Sequence, residues 1–239
     1  MGVTANGRPG EGQIDRLEEI EAALRASFIY PVLGKAERER FIASARPKTY
    51  GAGETIFTMG QKGTSMMLVE QGEVRISYPA SNGRSVVLSE LKAGSVFGEI
   101  ALLDGGERSA DVIAVTNCKL LVFERRDFME MLKGNWSLAE AVLKLICTRL
   151  RRADERMADL AFFDLPGRLA KVLISRAKPA PGGGPERVSD SQSALAALVG
   201  GSRETVNRCL RKWEKEGLIA MEGGRISLID PEAPGRASV

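Results

Sequence analysis

Gly200-Gly201-Ser202-Arg203-Glu204-Thr205-Val206-Asn207-Arg208-Cys209-Leu210-Arg211-Lys212-Trp213 sets a tight turn, a cap and a two-faced helix in consecutive residues. The paired glycines suit a chain reversal, and Ser202 is placed to cap a helix from Arg203 to about Glu216. On that helix Val206, Leu210 and Trp213 share one face, while Arg203, Glu204, Asn207, Arg208 and Arg211 share the other. The second face has major-groove chemistry: arginine matches the two acceptors of guanine bidentately, and a carboxylate accepts from the cytosine amine. An arginine-rich face is usually only a solvated surface, so its neighbours decide between the two readings. Before the turn, residues 191–199 read as a short helix with Leu195, Leu198 and Val199 inward. After it, residues 218–221 and 225–229 flank Glu222-Gly223-Gly224 as a hairpin that would lie along a DNA backbone. Helix, glycine turn, capped basic helix and wing together predict a winged helix-turn-helix.

Upstream, Ala139, Leu143, Ile146, Leu150, Ala153, Met157 and Leu160 recur with spacings of 4 and 3 along a predicted helix from Ser137 to about Phe162. Ser137-Leu138-Ala139-Glu140 reads as a capping box at its start. A seam repeating every ~3.5 residues needs another helix against it, and its regularity favours the same helix of a second subunit in parallel. The alternative is that the stripe covers the core of the preceding domain. Asp164-Leu165-Pro166 then caps and opens a further helix over 167–177, which marks a hinge. Lys178-Pro179-Ala180-Pro181-Gly182-Gly183-Gly184-Pro185 follows as a flexible loop.

Further back, from Tyr50 to Phe123, short β-branched or apolar runs alternate with glycine turns. The runs fall at 55–57, 66–69, 74–77, 86–88, 112–115 and 120–123, punctuated by Gly51, Gly53, Gly60, Gly72, Gly94 and Gly98. Asn82-Gly83 is a strong hairpin signal because both residues tolerate positive φ. This predicts an all-β roll or barrel, flanked by helical patterns at 14–27 and 35–44.

The chain has 239 residues, room for two ordinary domains. No apolar run approaches the roughly 20 residues that span a bilayer, and the Gly-rich polar start lacks a secretory signal, so a membrane role is not expected. Asn6 stands where myristoylation needs Ser or Thr. Cys118, Cys147 and Cys209 are widely spaced and odd in number, and read as three buried, reduced side chains in a cytoplasmic protein. The chain contains no histidine, which removes Ser-His-Asp and Cys-His catalysis and His-ligated zinc or haem together. No catalytic residue, metal ligand or required cofactor is expected, and an enzyme acting on cyclic nucleotides would lack both a metal cluster and a general base.

Phe97-Gly98-Glu99-Ile100-Ala101-Leu102-Leu103, followed by Arg108-Ser109-Ala110, is a second constellation. A glycine permits close backbone approach, a short helix after it turns amide hydrogens outward, and a fixed guanidinium supplies full positive charge, which suits one phosphate. Glu99 would then accept from a sugar hydroxyl. An ordinary Glu99–Arg108 ion pair is the plain alternative, and spacing alone leaves both open.

Gly-Ser-Arg-Glu-Thr-Val-Asn-Arg at 201–208 closely resembles the recognition helix of the cyclic-AMP receptor protein (Crp/Fnr) family, and 97–110 resembles the phosphate cassette of cyclic-nucleotide-binding domains. The likeness runs from about Phe28 to Ile229, taking in Leu160-Ala161-Phe162, Asp164 and Pro166-Gly167-Arg168 at the hinge. It implies an α+β chain: a flexible tail over 1–18, a β-roll effector-binding domain over 19–136, a dimerisation helix over 137–163 and a winged helix-turn-helix over 164–239. It further implies a homodimeric transcription regulator, switched by a cyclic nucleotide (cAMP or cGMP), that reads an inverted repeat of TGTGA type on double-stranded DNA and meets RNA polymerase. By the same resemblance Gly98, Glu99, Ile100 and Ala101 line ribose and phosphate, and Arg108 and Ser109 hold the cyclic phosphate. Arg203, Glu204 and Arg208 would read base edges, Ser202 and Thr205 would hold phosphates, and Asn207 joins that surface.

Two positions depart from the family pattern. Gln192 stands where many members carry a basic phosphate contact, and Ala153 with Asp154 stand where the cyclic-AMP receptor places two hydroxyl residues against adenine. Asp154 accepts equally from an adenine amine or from the N1 and N2 hydrogens of guanine, so base identity stays open, as do a cyclic dinucleotide, another effector or none. The iron-sulfur branch needs an N-terminal cysteine cluster and the haem-sensing branch usually histidine, and this chain has neither.

Overall fold

The structure is a computed structural model that describes residues 11–80, 85–180 and 184–229. The Asn82-Gly83 turn, Met1 to Gly10 of the tail and Pro181 to Gly183 of the loop lie outside the described residues. Two compact units are formed, one from residues up to Pro79 with Leu88–Thr148, the other from Ala80–Val87 with Arg149 onward.

The first unit opens with α1 (Glu11–Arg25), a 3-10 turn (Tyr30–Val32) and α2 (Lys35–Ser44). The helix α1 begins inside the stretch assigned to the tail; Ile20 and Leu24 bury its inner face. Eight strands follow: β1 (Arg46–Tyr50), β2 (Thr55–Phe57), β3 (Ser65–Gln71), β4 (Glu73–Pro79), β5 (Ser85–Lys92), β6 (Val96–Phe97), then α3 (Glu99–Asp104), β7 (Asp111–Ala114) and β8 (Cys118–Glu124). They pair in two four-stranded sheets, ordered β1-β8-β3-β6 and β2-β7-β4-β5. Every predicted run is a strand, and β1 and β6 are additional.

Strand alternation explains how one sheet serves two cores. On β3, Met67 and Val69 face the second sheet with Phe57, Val74, Phe97 and Val112, while Met66 and Leu68 face the opposite way. That outer face is covered by α1, α2, α4 (Arg125–Gly134) and the first turns of α5 (Trp136–Phe162). Phe41 of α2 stacks on Phe123 of β8 with ring centroids 4.1 Å apart.

The long helix α5 starts slightly earlier than expected, its cap lying two residues before Ser137. Asn135, not Ser137, is the cap: its Oδ1 accepts from the Leu138 N–H at 2.8 Å, so Ser137 lies inside the first turn and the Ser137–Glu140 capping box is not used. The helix buries Leu138 and Val142 in the β-roll core, but the seam is another face. Leu143, Leu150, Met157 and Leu160 are 56, 60, 60 and 61% exposed, so the stripe does not cover the chain's own core. Cys147 is exposed on this helix, against the expectation of three buried thiols; Cys118 is buried, Cys209 partly so, and all three are free.

The second unit continues with α6 (Leu165–Arg176), β9 (Arg187–Val188), α7 (Gln192–Val199), α8 (Arg203–Lys215), β10 (Ile219–Glu222) and β11 (Arg225–Leu228). Asp164 caps α6 through the Gly167 N–H with Pro166 in the first turn, as read from the sequence. Leu169, Leu173, Leu195, Val199, Val206, Leu210 and Trp213 close a core against the sheet β10-β11-β9. Within α7 it is Ala196 that is buried and Leu198 that is only partly so. No helix among the described residues is long and apolar enough to cross a membrane.

Candidate functional site

The cassette is built where β6 ends. Gly98 takes φ +78°, a left-handed conformation, and caps α3; a Cβ there would stand 2.6 Å from Nη1 of Arg108. Glu99 and Arg108 are 2 and 6% exposed, which makes them buried charges. Arg108 Nη1 donates to the Ser65 carbonyl at 2.7 Å and the Gly98 carbonyl at 3.0 Å, and Nη2 donates to Ser65 Oγ at 3.1 Å. Its guanidinium carbon lies 4.2 Å from the centroid of the Phe57 ring. Desolvation lowers the Arg108 pKa from its ordinary value, and the Glu99 carboxylate opposes that shift.

The other predicted residues of the cassette fall at different depths. Ala101 is buried, and a Cβ at Gly63 would come within 2.2 Å of its own, so Ala101 fixes α3 against the loop before β3. Ile100 and Ser109 are exposed. Ala153 and Asp154, the predicted base contacts, are exposed on α5 in the second unit. Ser65 and Phe57 carried no sequence signal as site residues, because a serine 43 residues before its arginine has no spacing that marks it.

In the second unit, α7, the turn and α8 form the expected helix-turn-helix. Gly200 takes φ +69°, and a Cβ at Gly201 would meet Leu165 at 2.4 Å, so both turn glycines are required by the backbone or by packing. Ser202 caps α8 by accepting from the Thr205 N–H at 3.1 Å, and its Oγ lies 3.0 Å from the Thr205 hydroxyl. Val206, Leu210 and Trp213 are buried; Arg203, Glu204, Arg208 and Arg211 are exposed. Gln192 and Asn207 are brought together, the amide Nε2 donating to Oδ1 at 3.5 Å, so the departure at 192 binds the recognition helix itself. Arg168 links two segments: Nη1 donates to the Phe163 carbonyl at 2.8 Å and Nε to the Val199 carbonyl at 3.1 Å, tying the hinge to the end of α7.

Comparison with known proteins gives two family matches, the cyclic nucleotide-binding domain over residues 47–135 and the Crp-like helix-turn-helix domain over residues 167–233. The CRP-like cAMP-activated global transcriptional regulator of Mycobacterium tuberculosis is 32% identical over 195 residues, covering 80% of this chain and 87% of that protein. This chain belongs to the Crp/Fnr family. The cyclic AMP receptor protein of Thermus thermophilus is 32% identical over 205 residues, covering 86% of this chain and 94% of that one. Among solved structures, the c-di-GMP responsive global regulator CLP of Xanthomonas campestris has a TM-score of 0.73 at 25% identity, over 80% of this chain and 97% of that one. This Crp/Fnr-type transcription regulator therefore joins a cyclic-nucleotide-binding β-domain to a helix-turn-helix through one long helix.

Proposed function

We propose that the chain is a homodimeric regulator that binds cyclic AMP or cyclic GMP in its β-roll and reads an inverted TGTGA-type repeat through Arg203, Glu204 and Arg208. The observation that carries the ligand reading is the buried Arg108 guanidinium seated against the left-handed Gly98, whose missing side chain makes room for a desolvated cation suited to an anion. Glu99 follows Gly98 and Ser109 follows Arg108 in the chain, and Ser202 and Thr205 at the cap of α8 suit DNA phosphates. Ligand and DNA affinities then strengthen each other reciprocally, with the hinge at Phe163-Asp164 as the moving part. Titrating an operator fragment with and without each nucleotide tests this: tighter operator binding with one of them supports the proposal, and unchanged affinity with both ends it. Arg108→Ala is expected to abolish the ligand response while leaving the fold intact.

A second reading gives the same DNA role to a cyclic dinucleotide. It is favoured by the likeness to the c-di-GMP responsive regulator of Xanthomonas campestris, and Asp154 accepts from guanine as readily as from adenine. Including c-di-GMP in the same titration separates the two.

A further inference from the structure

We propose that Ser65 is a positioning residue that orients the Arg108 guanidinium and so determines how tightly the β-roll grips a phosphate. The inference rests on the cyclic-nucleotide reading and adds the groups that hold the cation to one direction.

A guanidinium is a planar fork with five N–H donors, and its worth to a phosphate depends on which edge of the fork is presented. Arg108 reaches the site from the loop between α3 and β7 on a long side chain that costs entropy to hold still. Ser65 does the holding with two acceptors on one residue: its carbonyl takes Nη1 at 2.7 Å and its Oγ takes Nη2 at 3.1 Å. Those two bonds lie along the end of the fork, between Nη1 and Nη2. The Gly98 carbonyl takes Nη1 as well, at 3.0 Å. The side of the fork, Nε with the second Nη2 hydrogen, is the edge left for a bidentate anion.

Two features make this a rigid arrangement. Ser65 opens β3, a strand paired on both sides within its sheet, and sits opposite Glu124 of β8; it is itself buried. The guanidinium carbon also sits over the Phe57 ring, 4.2 Å from its centroid, a cation–π contact that favours this placement of the fork. Only the Oγ contact can be deleted by substitution without touching the backbone.

The test is isothermal titration of the full chain with cyclic AMP and cyclic GMP for wild type, Ser65→Ala, Ser65→Thr, Phe57→Leu, Arg108→Lys and the Ser65→Ala/Arg108→Lys double variant, with unliganded melting temperatures from the same samples. Ser65→Ala is expected to weaken binding about tenfold, as one charge-assisted bond dictates, with Ser65→Thr restoring most of it. Phe57→Leu is expected to cost about threefold. In the Arg108→Lys background, where no fork remains to orient, Ser65→Ala should add nothing. Equal losses in the two backgrounds would reveal a merely structural serine and overturn the proposal. So would wild-type affinity in Ser65→Ala alongside lost binding in Arg108→Lys, an outcome that leaves the cyclic-nucleotide reading standing. If wild type binds neither nucleotide, that reading falls and this inference with it.

Discussion

At Gly98 two demands meet, and they can be separated by experiment. The residue needs φ +78°, and it needs no side chain because Arg108 Nη1 occupies the space a Cβ would take. Gly53 needs only the first: its φ is +83° and nothing lies within 4 Å of a Cβ there. Gly53→Ala is therefore expected to lose about 1 kcal/mol of stability through backbone strain alone, with nucleotide affinity unchanged. Gly98→Ala is expected to lose at least as much and, in addition, the nucleotide affinity, because the guanidinium must move; melting curves with titration of both variants check it. Tyr50 is a simpler case. Its hydroxyl is buried without a hydrogen-bond partner, so Tyr50→Phe should be neutral or raise stability by about 1 kcal/mol in a denaturant titration. Gly98 and Arg108 were singled out in the sequence by the likeness to a phosphate cassette, since their spacing alone also suits a plain ion pair between Glu99 and Arg108. Ser65 was not, because only the fold brings the loop before β7 against the start of β3, 43 residues earlier.

Among the elements, the start of α5 shows how a local signal is overridden. Ser137 and Glu140 have the right spacing for a capping box, yet Asn135 takes the cap because Glu37 of α2 holds its amide. The Glu37 carboxylate accepts from the Gly34 N–H and from Asn135 Nδ2, both at 2.7 Å, and these bonds, the backbone one first, lower its pKa below the ordinary value. A depressed carboxylate contributes stability that is present above the unfolded glutamate value of about 4.3 and is lost as pH falls through the lower folded value. Glu37→Gln should therefore melt below wild type at neutral pH, with the gap closing under acid, as followed by thermal melts from about pH 7 to pH 3. If the gap is constant with pH, the charge on Glu37 is irrelevant to the strut. The strands that escaped prediction lacked a readable pattern, whereas the helix α4 was missed although Phe128 and Met131 bury one of its faces. In β1 only Tyr50 is buried, so no alternation shows, while β6 and β9 are two residues long and exist through their partners.

Across the whole molecule the determining feature is the row of exposed side chains on α5. Four large apolar residues, Leu143, Leu150, Met157 and Leu160, stand more than half exposed at heptad spacing. Burying a leucine of this kind is worth roughly 1.5–3 kcal/mol, and in the proposed parallel pairing a carboxylate at one position forfeits that gain on both chains and adds the cost of desolvating two like charges. Leu150→Glu places two carboxylates against each other at the middle of the seam, and sedimentation velocity is expected to show a shift from dimer to monomer. DNA binding should follow. Each chain carries one recognition helix, and two helices held about one helical turn apart engage both half-sites of an inverted repeat. The Leu150→Glu monomer is expected to bind the full repeat no better than a single half-site, whereas wild type should lose most of its preference when about five base pairs are inserted between the half-sites, since that rotates one of them to the opposite face of the duplex. Indifference of wild type to that insertion would mean that the two basic helices act separately, and the dimer would then have no part in choosing the operator.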